Sequence, residues 1–493
     1  MLPLYKEKKD PTLLPIAKKE GCNPANKPAD RPINKPADKP TGSIAFEPTG
    51  NRIFFISLGC PRNLVDSEVM LGILLKAGYE VAKTLPDADY LVINTCGFLE
   101  ASRGESSETI RNTIKEKKDT ARLIVTGCMV QTHTTDLKEQ FPSIDYFLGS
   151  GDVEGILKAV LATQQGELIT SARSYLEVGE VPRQLSTPKH YAYLKIAEGC
   201  RKRCSYCIIP EIKGPLRSKS KEQILKEFNL LLNQGVQEVI LIAQDLGDYG
   251  RDLGSSKVDG LVDLLKELLK VDKNFWLRLL YLYPDEITDE LIDVMQSDSR
   301  ICPYLDMPIQ HIDDVMLKTM RRTTSSAEIK STIVKLREKI PNISIRTSLI
   351  VGFPGETEEQ FQKLEKFIQE YPLDNIGIFK YSREPKSHSY HLENQIDPEI
   401  KESRYHRLMQ LQQEIVGKLN REHVGKKYEV IVEKYHPESQ LLMQGRSKMQ
   451  CPEIDGVVII NDHRKVKSFG QRYQVEITDA AGYDLIGRVV STI

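Results

Sequence analysis

Short apolar runs separated by amphipathic stretches recur through most of this chain. Residues 53–57, 90–94 and 123–126 are apolar or β-branched runs of strand length, and the segments between them carry apolar positions at helical spacing. That alternation predicts a parallel sheet, because parallel neighbours need a crossover, usually helical, between them. The pattern returns from about residue 190 to 385, with strands predicted at 193–197, 238–243, 276–282, 303–307, 344–351 and 376–381. Six strands with helical patterns between them predict an incomplete (β/α)6 barrel. Within 220–234, Ile224, Phe228, Leu231 and Leu232 share one helical face, and Thr357 with Gln360 forms a capping box ahead of Phe361, Leu364 and Ile368. After a helical stretch at 404–421 the texture changes to short alternating segments at 428–433, 457–460 and 473–477, as in a small antiparallel β-barrel.

The pattern therefore divides an α/β chain into a parallel sheet domain at 51–165, a barrel domain at 186–420 and a small β-barrel at 421–493. Residues 1–48 differ: they are rich in Pro, Lys, Asp and Asn, with a near repeat at 26–32 and 34–40, and read as a disordered tail. The whole chain of 493 residues carries 68 Lys and Arg against 69 Asp and Glu, so no global field holds a polyanion. The last domain is equally balanced, 11 against 10. No apolar run is long enough to span a bilayer and no secretory signal opens the chain, so a soluble, cytoplasmic protein without a membrane partner is expected. Nine dispersed cysteines suit a reducing compartment better than a disulfide framework.

Six of those cysteines carry the chemistry. Cys200, Cys204 and Cys207 form a CxxxCxxC run with Tyr206 before the last cysteine, in the loop after the first barrel strand, at the face where barrel active sites lie. Three thiolates suit three irons of a four-iron cluster and leave the fourth iron open to a small molecule. Half of a structural zinc site is the blander alternative, but no second ligand pair follows at the usual spacing. Cys60, Cys96 and Cys128 each stand beside a glycine just past a predicted strand. The carboxyl ends of parallel strands share one edge, so these three thiols converge there, which again fits a cluster. Buried free cysteine is the ordinary alternative for any one of them.

Together these features resemble the methylthiotransferase family of radical S-adenosylmethionine (SAM) enzymes over about residues 51–493. The runs Ser57-Leu-Gly-Cys-Pro-Arg-Asn-Leu-Val-Asp-Ser-Glu68, Asn94-Thr-Cys-Gly-Phe98, Ala243-Gln-Asp245 and Cys451-Pro-Glu-Ile-Asp-Gly456 are similar to its RimO-type branch, which modifies a ribosomal protein. The resemblance implies a central radical SAM barrel, a C-terminal TRAM domain and two 4Fe–4S clusters, one held by Cys200, Cys204 and Cys207 and one by Cys60, Cys96 and Cys128. It implies SAM as cofactor and, as reaction, addition of a methylthio group to the β-carbon of an aspartate in protein twelve of the small ribosomal subunit. An electron donor and a sulfur donor are implied as partners. An unactivated carbon of this kind is too weakly acidic for a side-chain base, which is why radical chemistry is needed. Lys213 and Lys219 stand where that family usually has arginine, and 381–388 lacks its usual ending.

Gln244, Gln310 and Arg346 fall near barrel strand ends or along strands and, with Tyr206 of the cysteine loop, are expected to line the SAM pocket, Arg346 pairing with the SAM carboxylate. His311, Cys302 and Cys451 are read as structural. Two other functions fit parts of the pattern: the same chemistry on a tRNA adenosine, which a strongly basic last domain would favour, and a non-enzymatic iron–sulfur carrier, which needs neither a barrel nor an open iron.

Overall fold

Strand Arg52–Ser57 begins a six-stranded, all-parallel sheet whose order is Glu80–Val81, Arg52–Ser57, Tyr90–Thr95, Arg122–Gly127, Tyr146–Gly149 and Gly166–Leu168. The computed structural model describes residues 50–170, 175–177 and 181–493; the tail expected at 1–48, with Cys22, lies outside the described residues. Both faces of this sheet are buried, which is why its strands read as continuous rather than alternating apolar runs. Strands Glu80–Val81, Tyr146–Gly149 and Gly166–Leu168 are short, and the sequence pattern does not reveal them.

The central domain has six parallel strands, Tyr191–Lys195, Glu238–Ile242, Trp276–Leu279, Ile301–Asp306, Ser344–Val351 and Asn375–Lys380, each paired with its neighbour in chain order. The first and last are not paired with each other, so the barrel is incomplete as expected. Alternate residues divide between two cores. Ala192, Leu194, Val239, Leu241, Leu277 and Leu279 face the helices, while Tyr191, Tyr193, Ile240, Ile242, Trp276 and Tyr304 face the lumen. Helix Lys221–Asn233 buries the four apolar residues expected of it, and the Thr357–Gln360 capping box opens helix Glu358–Glu370. Helix Pro398–Arg421 starts earlier than its apolar pattern indicates, because Asp397 caps it and Pro398 is preset for the first turn.

Neighbouring domains fill both ends of the lumen. Val65 and Leu64, on helix Pro61–Lys76 of the sheet domain, pack into it together with Ile431, Cys451 and Ile454 of the C-terminal domain. That last domain is a closed five-stranded barrel in which every pairing is antiparallel except Val458–Asp462 with Asp484–Thr492. It is clamped to the strand starts by buried charge: Arg278 Nε and Arg446 Nη2 both donate to Glu238, at 2.6 and 2.7 Å, and Arg446 Nε donates to Glu433 at 2.7 Å. The cysteine loop is at the opposite end.

Candidate active site

Each cysteine of the sheet domain stands at a strand end, and the backbone there is shaped for close approach. Gly59 and Gly127 both have positive φ, +94° and +99°. A Cβ on Gly59 would lie 3.2 Å from Cys96 Sγ, and one on Gly127 would lie 2.5 Å from the Thr95 carbonyl, so only glycine fits either place. Asn63 ties the ends together: its Nδ2 donates to the Leu58 and Thr95 carbonyls, and the Cys128 thiol donates to its Oδ1 at 3.6 Å. The three sulfurs act on one another electrostatically, Cys60 on Cys96 and both on Cys128. Burial raises the Cys96 thiol pKa and pushes that of Cys128 up to about 12. Burial also acts upward on Cys60, but the Arg62 charge and the backbone N–H groups of Asn63 and Arg62 outweigh it and hold Cys60 below its ordinary value.

The second triad lies in the loop after strand Tyr191–Lys195. Cys207 N donates to the Cys204 carbonyl in a tight turn, and Ile209 N donates to Cys207 Sγ at 3.4 Å as helix Ile209–Lys213 begins. Ser205 holds the loop to the Thr319 and Met320 carbonyls. Burial pushes the Cys200 and Cys207 thiols up to about 12. Lys202, between the first two cysteines, reaches Glu286 at 2.6 Å and Asp245 at 3.6 Å, anchoring the loop to a buried group of carboxylates formed by Asp245, Asp248 and Glu286. Burial, with Glu286 nearby, raises the Asp245 pKa far above the carboxylate range.

Burial disfavours the charged thiolate of Cys96, Cys128, Cys200 and Cys207, and a metal that takes the proton's place turns such thiols into ligands. The donor set fits an iron–sulfur cluster in each triad. Both triads offer three soft sulfurs, with N–H donors aimed at Cys60 and Cys207, and all six cysteines are free of disulfides. The other described cysteines, Cys302 and Cys451, are packed in the barrel lumen with Tyr304 and Trp276. His311 is likewise internal, hydrogen-bonded to Glu356 and to the Asp313 N–H.

The two triads face each other. Cys128 packs against Ile208, which directly follows Cys207, and against Ile212 one helical turn further on. Arg62 acts on Cys60, Cys128 and Cys207 alike, donates to the Ala243 carbonyl at 2.8 Å and covers the Tyr281 ring at 4.8 Å. Below it, a buried square of alternating charge joins helix Pro61–Lys76 to the barrel. Asp66 and Glu198 each accept from both Lys195 and Lys213. Lys213 is thus committed to an internal ion set, and Lys219 pairs with Glu227.

The pocket residues expected from the sequence separate. Tyr206 packs against Met316, Met320, Phe353 and Tyr381 beside the loop. Gln244, just past strand Glu238–Ile242, has a buried Oε1 with no hydrogen-bond partner, the kind of group a bound ligand satisfies. Gln310 has a left-handed backbone, φ +70°, and bridges Ser348 and Ile350 through its own N–H and carbonyl. Arg346 is engaged by Asp306 at 3.2 Å and Asp455 at 3.4 Å and borders a cavity of about 520 Å³ against the C-terminal domain. The sequence pattern missed Tyr283 and Arg322. The Tyr283 hydroxyl lies 3.2 Å from Cys204 Sγ, and its ring lies between Lys202 and Arg322, at 4.6 and 3.9 Å. The aromatic just past strand Trp276–Leu279 was the one available signal; nothing local points to Arg322.

Residues 52–149 match the uncharacterized protein family UPF0004, residues 194–368 the radical SAM superfamily and residues 424–490 the TRAM domain. The radical S-adenosylmethionine methyltransferase TsrM from Kitasatospora setae, solved with cobalamin and a 4Fe–4S cluster bound, superposes with TM-score 0.51 at 15% identity over 69% of this chain and 77% of that one, a likeness of fold alone. An incomplete parallel barrel with a CxxxCxxC loop at its mouth, in the span matched by that superfamily, makes the chain a radical SAM enzyme. It is 71% identical to the ribosomal protein uS12 methylthiotransferase RimO of Protochlamydia amoebophila over 89% of this chain and 93% of that protein. The proteins of the same name from Chlamydia abortus and Bdellovibrio bacteriovorus are 56% and 44% identical, over 90% and 89% of this chain and 96% and 97% of their own lengths. The chain belongs to this family, the RimO methylthiotransferases.

Proposed function

We propose that this enzyme adds a methylthio group to the β-carbon of an aspartate in ribosomal protein uS12, in the cytoplasm, with SAM and two 4Fe–4S clusters and with electrons and sulfur from outside donors. The observation that carries this reading is the pair of facing cysteine triads joined by Arg62. Bound there, the clusters and SAM supply a carbon-centred radical and a transferable methylthio group. The chain's own part is placement. Cys200, Cys204 and Cys207 would hold one cluster and Cys60, Cys96 and Cys128 the other, with Lys202 pinning the first loop through Glu286 and Asn63 fixing the strand ends of the second. Gln244 offers an unmet acceptor and Tyr206 an apolar wall for a cofactor at the mouth. Phe98, Ile208 and Ile212 exclude water from the gap. No described helix is long and apolar enough to cross a membrane, and the near-neutral C-terminal barrel supports a protein rather than a polyanionic substrate.

The test is product mass. Reconstituted enzyme is incubated with SAM and reductant, separately with unmodified small ribosomal subunits and with bulk tRNA, and each is digested and weighed. A methylthio-aspartate in uS12 is expected; a methylthio-adenosine with no modified peptide contradicts the proposal.

A further inference from the structure

We propose that Arg62 is the anchor for the carboxylate of the substrate aspartate, fixing which carbon lies in the gap between the two cysteine triads. This inference rests on the proposed protein substrate. Arg62 is the second residue of helix Pro61–Lys76, so it is carried by the sheet domain yet reaches the barrel rim, where Nη1 donates to the Ala243 carbonyl at 2.8 Å. Its guanidinium lies over Tyr281 and beside Cys60, and its charge bears on Cys128 of the same triad and on Cys207 of the other. It is half-buried. A guanidinium has five N–H donors, and the Ala243 carbonyl and Cys60 take only some of them.

The neighbouring cations are committed elsewhere. Lys195 and Lys213 are closed in by Asp66 and Glu198, Lys202 by Glu286 and Asp245, and Arg346 by Asp306 and Asp455. Arg322 has no carboxylate partner among the described residues, but it is 8% exposed, stacked on Tyr283, gives one N–H to the Pro308 carbonyl, and bears only on the Cys204 and Cys207 side of the gap. Among the described residues, then, Arg62 is the cation whose charge bears on both triads without a carboxylate of its own. An aspartate β-carbon is one bond from its carboxylate. Holding that carboxylate in a planar fork therefore places the β-carbon within a bond length or so of a fixed point, which is what a transfer between two fixed sites demands. A nucleobase offers no such anion, so the same residue discriminates against an adenosine.

SAM also carries a carboxylate, and the experiment separates the two sources. Full-length reconstituted wild type, Arg62→Gln and Arg62→Lys are compared for iron content, for deoxyadenosine formed without substrate, and for affinity toward small subunits by co-sedimentation. The subunits carry either the target aspartate or asparagine in its place. Wild type is expected to bind the aspartate form at least tenfold more tightly than the asparagine form. Compared at matched iron content, Arg62→Gln should lose that preference, and Arg62→Lys should keep part of it. Equal affinity of wild type for the two forms overturns the anchor without needing any enzyme variant. So does an equal loss on both forms in Arg62→Gln, the mark of a structural role, or a fall in substrate-free deoxyadenosine at unchanged iron, which would assign Arg62 to SAM. A wild type that modifies tRNA and no subunit protein shows instead that the proposed substrate is wrong, and removes the anchor with it.

Discussion

Replacing Asp66 by asparagine isolates the junction on which the facing triads depend. Asp66 and Glu198 oppose Lys195 and Lys213, with Glu198 at 3.3 and 2.7 Å from the two ammoniums and no side chain of the four more than 4% exposed. The set is neutral. Asp66→Asn keeps its shape and leaves two buried ammoniums against one carboxylate. Uncovering a buried charge in this way costs about 3–5 kcal/mol, a large part of the roughly 5–15 kcal/mol that stabilises a typical domain. The lower end, about 3 kcal/mol, is expected here because the asparagine oxygen still accepts one hydrogen bond. Guanidinium unfolding of the full chain, followed by circular dichroism, should show the midpoint falling accordingly. Adding Lys213→Met restores neutrality and should recover more than half of the loss, since the two positions share partners and their effects are not additive. An Asp66→Asn midpoint within about 0.5 kcal/mol of wild type, or a double variant weaker than the single, would refute the reasoning.

Other outcomes follow from the same geometry. Burial acts to raise the Glu433 pKa, but Arg446 and His190 outweigh it and hold it down to about 2, against an ordinary 4.5. Its stabilising contribution is therefore complete above about pH 4.5 and lost as pH falls toward 2; the gap in denaturant midpoint between wild type and Glu433→Gln should be constant at neutral pH and close below about pH 3. Gly127→Ala should lower stability by at least about 1–3 kcal/mol through its left-handed φ and the clash with the Thr95 carbonyl, and should reduce iron bound by the sheet domain, read by iron analysis. Deleting residues 422–493 uncovers Trp276 and takes Arg446 from Glu238, so the truncated chain should melt at lower temperature than the full one.

Much of this architecture is local and therefore legible in the sequence. Strand Ser344–Val351 has the bounds its apolar run indicates, the Thr357–Gln360 capping box forms, and the cysteines of both triads occupy the strand ends and loop that periodicity assigns them. Contacts between domains leave no such trace. Arg62 and Ala243 are 181 residues apart, Arg446 and Glu238 are 208 apart, and no periodic pattern connects them. Arg346 shows the limit from the other side: its position along a barrel strand is readable, but its two carboxylate partners come from another strand and another domain. Nor does the sequence alone show that Lys213 is sealed in a square of charges.

The central claim is that two separate triads each hold a cluster and divide the labour between them. Iron per chain and deoxyadenosine formation, measured together on anaerobically reconstituted wild type and Cys96→Ala, test it most directly. The account predicts about eight irons in the wild type and about four in Cys96→Ala, with reductive SAM cleavage surviving the loss. About four irons in the wild type, or cleavage abolished along with Cys96, would contradict it.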